Sequence, residues 1–457
     1  MQLSMEQIEE LAGDSRSIAS ARYLIALKFW EEVGFSAEMM WGRCRGSSVY
    51  QVKIDLKNLG SSCNCPSRKY PCKHTIGLLL LAAHNIEAIT DGTPPEWADA
   101  WISRRREKQE QKIGNESQPP KPVDKKAQQK RAGKREKKVA GGVEQLSLWL
   151  NDLIRNGLAS VEGKPAAFWE DQAKRLVDAQ ASGLANRVRG LSHIPGSSPN
   201  WPDRLASELG RIKLLLHAFE RVEELDPDLQ SDVRQLIGWN VSSAELDAIV
   251  QSADSDRVVE DEWFVYGQEL IEDTLNTGRA GLRSQRSWAV GKETGQHALF
   301  LQFAPGSQGF PETIVAGTRQ RARVVFYPGA VKQRAKFVEC ASQPRPISES
   351  LPGSLTINDF LDAYAEQLGQ QPWLTTKGCV LNDVTVSIQD DKWYAVDSAG
   401  NALRLQRPDW KLLAVTGAGV CDLAGEWNGY TLRVLGVVTL HPARPNGEDR
   451  YFYGLST

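Results

Sequence analysis

The 457-residue chain has no apolar run near the roughly 18–20 residues that a membrane-spanning helix requires. Its longest, "IGLLLLAA" at 76–83, has the length of a buried helix. The first residues, "MQLSMEQIEELAGDSRS", are polar and acidic, so no secretory leader is expected there. Cysteine is scarce and odd in number, seven in all, and the spacing has no disulfide-like rhythm. These absences exclude a membrane span and a disulfide-stapled secreted domain, and the chain is expected to be cytoplasmic. Excess charge of one sign is also missing: the net charge of −2 says nothing about partners until the charges are located.

Catalytic signatures are missing too. There is no G-x-S-x-G, no H-E-x-x-H, and no G-x-G-x-x-G after a strand. "GKET" at 291–294 fails as a phosphate loop, because Arg286 and Glu293 stand where Gly and Ser or Thr are needed. "EDE" at 260–262 and "DPD" at 226–228 offer carboxylates, the latter accounted for by helix capping. His193, His217, His297 and His441 have no Cys, His or acidic neighbours at ligand spacing, and His217 reads as a satisfied, partly buried imidazole. The fourteen tryptophans are spread evenly, which suits packing. No enzymatic activity is expected.

What is present falls into blocks, since a chain of this length exceeds one ordinary core. Before residue 102, "ARYLIALKFWEEVG" reads as a helix, and "VYQVKIDL" as a strand with Tyr50, Val52, Ile54 and Leu56 on one face. Residues 103–138 then hold 14 Lys or Arg against 5 Asp or Glu with almost no large apolar residue, so 103–142 is expected to be a disordered basic linker. Everything outside it sums to about −11. Such a strap either binds nucleic acid or an acidic partner, or is a solvated spacer. From 143 to 255 the period is helical. Leu146, Leu150 and Leu153 form a stripe closed by Gly157, and Leu205, Leu209, Ile212, Leu216 and Phe219 form another. Asp226 and Pro227 open a third helix. From 256 to 457 alternating runs dominate, among them "WFVYG", "RSWAVG", "HALFLQFA", "ARVVFYPG", "KWYAVD", "WKLLAVTG" and "YTLRVLGVV". One helix interrupts them, "TINDFLDAYAEQLG", with Thr356 as cap and Gly369 as stop.

The stretch "CNCPSRKYPCKH" at 63–74 gathers three of the seven cysteines and a histidine. Zn²⁺ in closed structural sites takes four tetrahedral ligands, commonly Cys₃His. Cys63 and Cys65 leave a strand and Cys72 and His74 open a helix. Two sulfurs at i, i+2 in a flat strand lie too far apart, so both pairs sit at bends, which Pro66 and Pro71 supply. A helix N-terminus further favours thiolate. With Cys63, Cys65, Cys72 and His74 filling all four positions, no position is left for water, which argues against catalysis. Cys44 and His84 lie nearby but are read as a packed thiol and a helix-end residue. Arg68, Lys69, Tyr70 and Lys73 lie between or beside the ligands. They would either contact phosphates and a base, or balance the −1 charge of three thiolates on Zn²⁺.

C-x-C-x₆-C-x-H between a strand and an apolar helix resembles the SWIM-type zinc finger. "WGRCRGSS", "TPPEWADAWI", "WLNDLIRNGLA", "RSWAVG" and "GEWNG" are similar to a bacterial family of SWIM-domain proteins, often encoded beside MoxR-type AAA+ ATPases and von Willebrand A domain proteins. The resemblance implies zinc binding, with DNA or protein recognition, and an AAA+ ATPase and a von Willebrand A protein as partners. The fold class expected is α+β multidomain: a small zinc-stapled ββα finger domain (1–102), a basic linker (103–142), a helical domain (143–255) and a mostly antiparallel β-rich domain (256–457). The function expected is non-enzymatic recognition through protein–protein contacts, the alternative being DNA or RNA binding by finger and linker.

Overall fold

Alternation of apolar residues in "VYQVKIDL" becomes the third strand of a five-stranded sheet at the start of the chain. The computed structural model describes Ile8 and residues 15–57, 59–67, 71–85, 89–116, 125–252, 255–272, 282–305, 310–406, 410–417, 419–440 and 450–455. After the short helix α1 (Ser15–Arg22), strands β1 (Trp30–Phe35), β2 (Met39–Arg45), β3 (Val49–Asp55), β4 (Ser61–Cys63) and β5 (Thr90–Asp91) pair in the order β4-β3-β2-β1-β5. One face packs Val52 and Ile54 against Ile76, Leu79 and Leu80 of helix α2 (Lys73–His84). The other presents Met39 and Trp41 to Ala98 and Ile102 of helix α3 (Glu96–Glu116). A finger of two strands and a helix is thus set in a larger sheet.

"ARYLIALKFWEEVG" is not one helix. It passes from α1 through two 3₁₀ turns, Tyr23–Ile25 and Leu27–Phe29, with Ala26 extended between them, and enters β1 at Trp30. Trp30 is buried and its Nε1–H donates to the Leu24 carbonyl at 2.7 Å, so tertiary packing overrides a mixed helical pattern.

The segment 103–142, expected as a disordered linker, carries helix wherever it is described. α3 runs on to Glu116, held to the sheet by Arg105–Asp55 at 3.1 Å and by Arg106–Glu38. Helix α4 (Lys125–Arg155) begins inside the segment. Averaged composition hides its reason: Val139 and Val143 extend the Leu146–Leu150–Leu153 stripe, and all five are buried in the helical core. The helical region therefore starts before residue 143.

Helices α5 (Ala166–Asp178), α6 (Ser182–Leu191), α7 (Trp201–Glu220) and α8 (Pro227–Ile237) complete that core, with Trp169, Leu184, Val188, Leu209 and Leu216 inside it. Gly157 takes φ +79° just past α4, as expected of a terminator. Gly183 lets α6 lie directly on the end of α8: a Cβ there would sit 2.2 Å from the Leu236 carbonyl oxygen. Trp373, from far downstream, also enters this core, and its Nε1–H donates to the Arg211 carbonyl at 3.0 Å. Helix α9 (Ser243–Gln251) follows, opened by a capping box of Ser242 and Glu245.

Strands β6 (Val258–Glu272), β7 (Leu282–Gly291), β8 (His297–Pro305), β9 (Thr318–Phe326) and β10 (Arg334–Cys340) close on themselves. β6 pairs with β7 and β9, β7 with β8, β8 with β10 in parallel, and β10 with β9 antiparallel. The order 1-2-3-5-4-1 is the connectivity of the OB barrel. The short β11 (Arg345–Pro346) adds to β9. Trp263, Ala289, Phe300, Val324 and Phe326 fill the interior.

A third sheet follows, in the order β14-β13-β12-β15-β16-β17, from β12 (Lys377–Gln389), β13 (Lys392–Val396), β14 (Ala402–Arg404), β15 (Cys421–Trp427), β16 (Leu432–Leu440) and β17 (Arg450–Gly454). It lies across the outside of β6–β8, where Phe264, Tyr266, Trp288, Val290 and Leu299 meet Val380, Ala424, Leu435 and Val438. Gly267, at a bulge in β6, permits the approach: a Cβ there would be 2.6 Å from that of Leu435. Helix α10 (Ile357–Gln370) is capped by Thr356, whose Oγ1 accepts from the Asp359 amide at 3.1 Å. It runs past Gly369, so that glycine is not its stop. "WKLLAVTG", expected as a strand, forms helix α11 (Trp410–Thr416), which buries Leu412 and Thr416 one turn apart. Short apolar runs fit either period. Among the described residues, no helix is long and apolar enough to cross a membrane.

Candidate metal centre

Pairing of β3 with β4 sets Val52 opposite Cys63, which places the Cys63 sulfur on the same face of the sheet as Tyr50, Val52 and Ile54. The chain is pinned as it leaves β4, because Asn64 Oδ1 accepts from the Gln51 amide at 2.7 Å. Cys65 and Pro66 form the bend that turns the second sulfur back. Cys72, after Pro71, is the N-cap of α2 with extended backbone, and its carbonyl already accepts from the Ile76 amide at 3.1 Å. His74 follows in the first helical turn, buried beneath the motif.

The structure brings Cys63, Cys65, Cys72 and His74 together, with one donor atom of each lying within 4.8 Å of all the others. His74 Nδ1 stands 3.8 Å from Cys63 Sγ and 4.0 Å from Cys72 Sγ. A tetrahedral ion with Zn–S near 2.3 Å and Zn–N near 2.0–2.1 Å has edges of roughly 3.6–3.8 Å, so the donors are spaced for such an ion. The donor chemistry fits as well. Contact between the Cys63 and Cys72 sulfurs holds the Cys72 thiol down and pushes the Cys63 thiol up. A divalent cation would satisfy both as thiolates. The four side chains would hold the ion, which supplies a structural crosslink between strand and helix. With four protein donors no position is left for water or substrate.

Around the cluster, the Tyr50 ring stacks on His74 with centroids 4.7 Å apart and planes at 29°. Cys44, opposite Tyr50 in the sheet, is not one of the converging four: burial pushes its thiol up to about 11, so it remains a packed neutral thiol. Lys73 is exposed at the start of α2, while Arg68, Lys69 and Tyr70 lie outside the described residues. Lys53, on the opposite face of β3, has its Nζ 5.6 Å from the Trp97 ring centroid. Tyr50 was the residue that motif spacing missed. Its signal was the alternation of β3, which puts it on the face that Cys63 joins.

Other candidates resolve into structure. The "GKET" turn is anchored by fully buried Asp261, whose carboxylate accepts from the Glu293 and Thr294 amides at 3.0 Å and from Thr294 Oγ1 at 2.7 Å. His217, expected to be partly buried, is exposed and pairs with Glu220 at 3.2 Å. His297 is held neutral by burial, which depresses it to about 3, and it lies 2.9 Å from the Tyr266 hydroxyl.

Residues 50–83 match the family model of the SWIM zinc finger, and residues 134–237 that of the SWIM-associated four-helix bundle domain. The second match begins within the basic segment, as the burial of Val139 requires. No curated protein and no solved structure matches the chain. The chain thus carries a region matching the SWIM zinc finger, followed by one matching the helical bundle associated with it.

Proposed function

We propose that this chain is a zinc-binding, non-enzymatic recognition protein of the cytoplasm, acting through protein–protein contacts. The observation that carries the reading is the closed donor set: a site that consumes all four positions of its ion braces a surface and has nothing left to activate a substrate. The partners proposed are a MoxR-type AAA+ ATPase and a von Willebrand A domain protein, on the resemblance of the flanking motifs to bacterial proteins of that setting. Crosslinking in native cells followed by mass spectrometry tests it. Reproducible recovery of an AAA+ ATPase and a von Willebrand A protein supports the reading, and their consistent absence sinks it.

A second reading, DNA or RNA binding, draws on exposed Lys73 and on the basic segment 103–138. Electrostatic binding weakens with salt, at a slope of about 0.7–0.9 per neutralised phosphate. Replacing Lys125, Lys126, Lys130 and Arg131 with glutamine should flatten that slope. No binding at low salt removes the reading.

A further inference from the structure

We infer that Tyr50 is the positioning residue of the metal centre, fixing the plane of His74 so that Nδ1 faces the three sulfurs. The inference rests on the reading of the cluster as a zinc site. A ligating histidine is ordinarily oriented by a hydrogen bond from its other ring nitrogen. Among the described residues, His74 Nε2 has no such partner, and the 4.7 Å stack on Tyr50 takes its place. The tyrosine is itself held at both ends. Its position in β3 is fixed by pairing with Cys44, and its hydroxyl lies 2.6 Å from Ser47 Oγ in the turn between β2 and β3. Gly46 leaves room for that pose, since a Cβ there would meet the Tyr50 ring at 2.9 Å. Tyr50 is half-buried while His74 is buried, so the aromatic face also shields the imidazole from water. An electron-rich face over an imidazole that gains positive character on binding a cation adds a modest favourable term.

The test uses the full chain with Tyr50→Phe, Tyr50→Leu and Tyr50→Ala, read by competition for Zn²⁺ against a chromophoric chelator and by the d–d spectrum of the Co²⁺-loaded protein. Tyr50→Phe should stay within about threefold of the parent, because the ring is retained. Tyr50→Leu and Tyr50→Ala should weaken zinc binding about 10- to 100-fold, the usual effect of losing a ligand's orienting partner. Their Co²⁺ bands should shift as the imidazole tilts. Leucine keeps the apolar volume of the strand, so it separates loss of folding from loss of the stack. Affinity and Co²⁺ spectrum unchanged in both Tyr50→Leu and Tyr50→Ala overturn the inference. Failure of the parent chain to bind Zn²⁺ overturns the metal reading instead.

Discussion

Asp232 is a single carboxylate on which three parts of the chain meet. It lies in α8 of the helical core, yet it accepts from the Ala330 amide of the β9–β10 loop at 2.7 Å and from Gln371 Nε2 beyond α10 at 2.6 Å. Burial raises its pKa to about 6, and these hydrogen bonds oppose the rise without cancelling it. Its folded value lies above the ordinary 3.8, so the folded state binds the proton more tightly. This contribution is therefore complete below about pH 4 and is lost as the pH rises towards 6. At about 1.4 kcal/mol per unit, the loss is of order 3 kcal/mol. Asp232→Asn should remove that part of the pH dependence, so the difference in stability between parent and variant, measured by urea unfolding at pH 4 and pH 7, should shift by about 2–3 kcal/mol. The convergence of Cys63, Cys65, Cys72 and His74 was legible in the sequence because all four fall within residues 63–74, where the chain's own spacing dictates geometry. Asp232 was not: its partners lie 98 and 139 residues away, and no local pattern marks them.

At the scale of elements, helix α6 approaches α8 more closely than any side chain permits. Gly183→Ala gains up to about 1 kcal/mol of helix propensity. The new Cβ, however, would press on the backbone oxygen of Leu236, which has no rotamer to yield. Overpacking against backbone costs about 1–3 kcal/mol, so a net loss of stability is expected, measured as a lower urea midpoint. In the finger, α2 is joined to β4 through the donor cluster. Chelation should speed amide exchange across residues 60–85 while the β6–β10 barrel keeps its protection. Equal exchange with and without chelator would show that apolar packing alone holds the finger. Long periodic elements such as α7 and β3 could be read from sequence, because one face of each is uniformly apolar. Where the run is short, as at 410–416, or buried on both faces, as along β12 and β15, period carries no information. The basic strap misled for the opposite reason: Val139, a single valine at the end of a field of lysine, joins the buried stripe of Val143, Leu146 and Leu150.

For the whole molecule, barrel connectivity could not be foreseen, because closure depends on β8 meeting β10 across an intervening strand. In barrels of this order the outer face of the second and third strands commonly receives oligonucleotides or oligosaccharides. Here Trp288, Val290 and Leu299 of that face lie under the third sheet. That face of the barrel is therefore occupied by the chain itself. The regions are also joined at the core. Trp373→Ala should cost about 3–5 kcal/mol, the usual range for emptying a buried tryptophan site. Differential scanning calorimetry should show the transition of the helical region shifting together with that of the β-rich region.

The indole of Trp373 bears on modularity. The matched bundle ends at residue 237, but its interior is finished by a side chain from well beyond that limit. Excised at its family boundaries, the bundle would carry a hole shaped like an indole, and the remaining fragment would display that indole to solvent. Inheritance and cooperativity thus draw their borders in different places along this chain. A shortened version intended for partner capture should extend through residue 373.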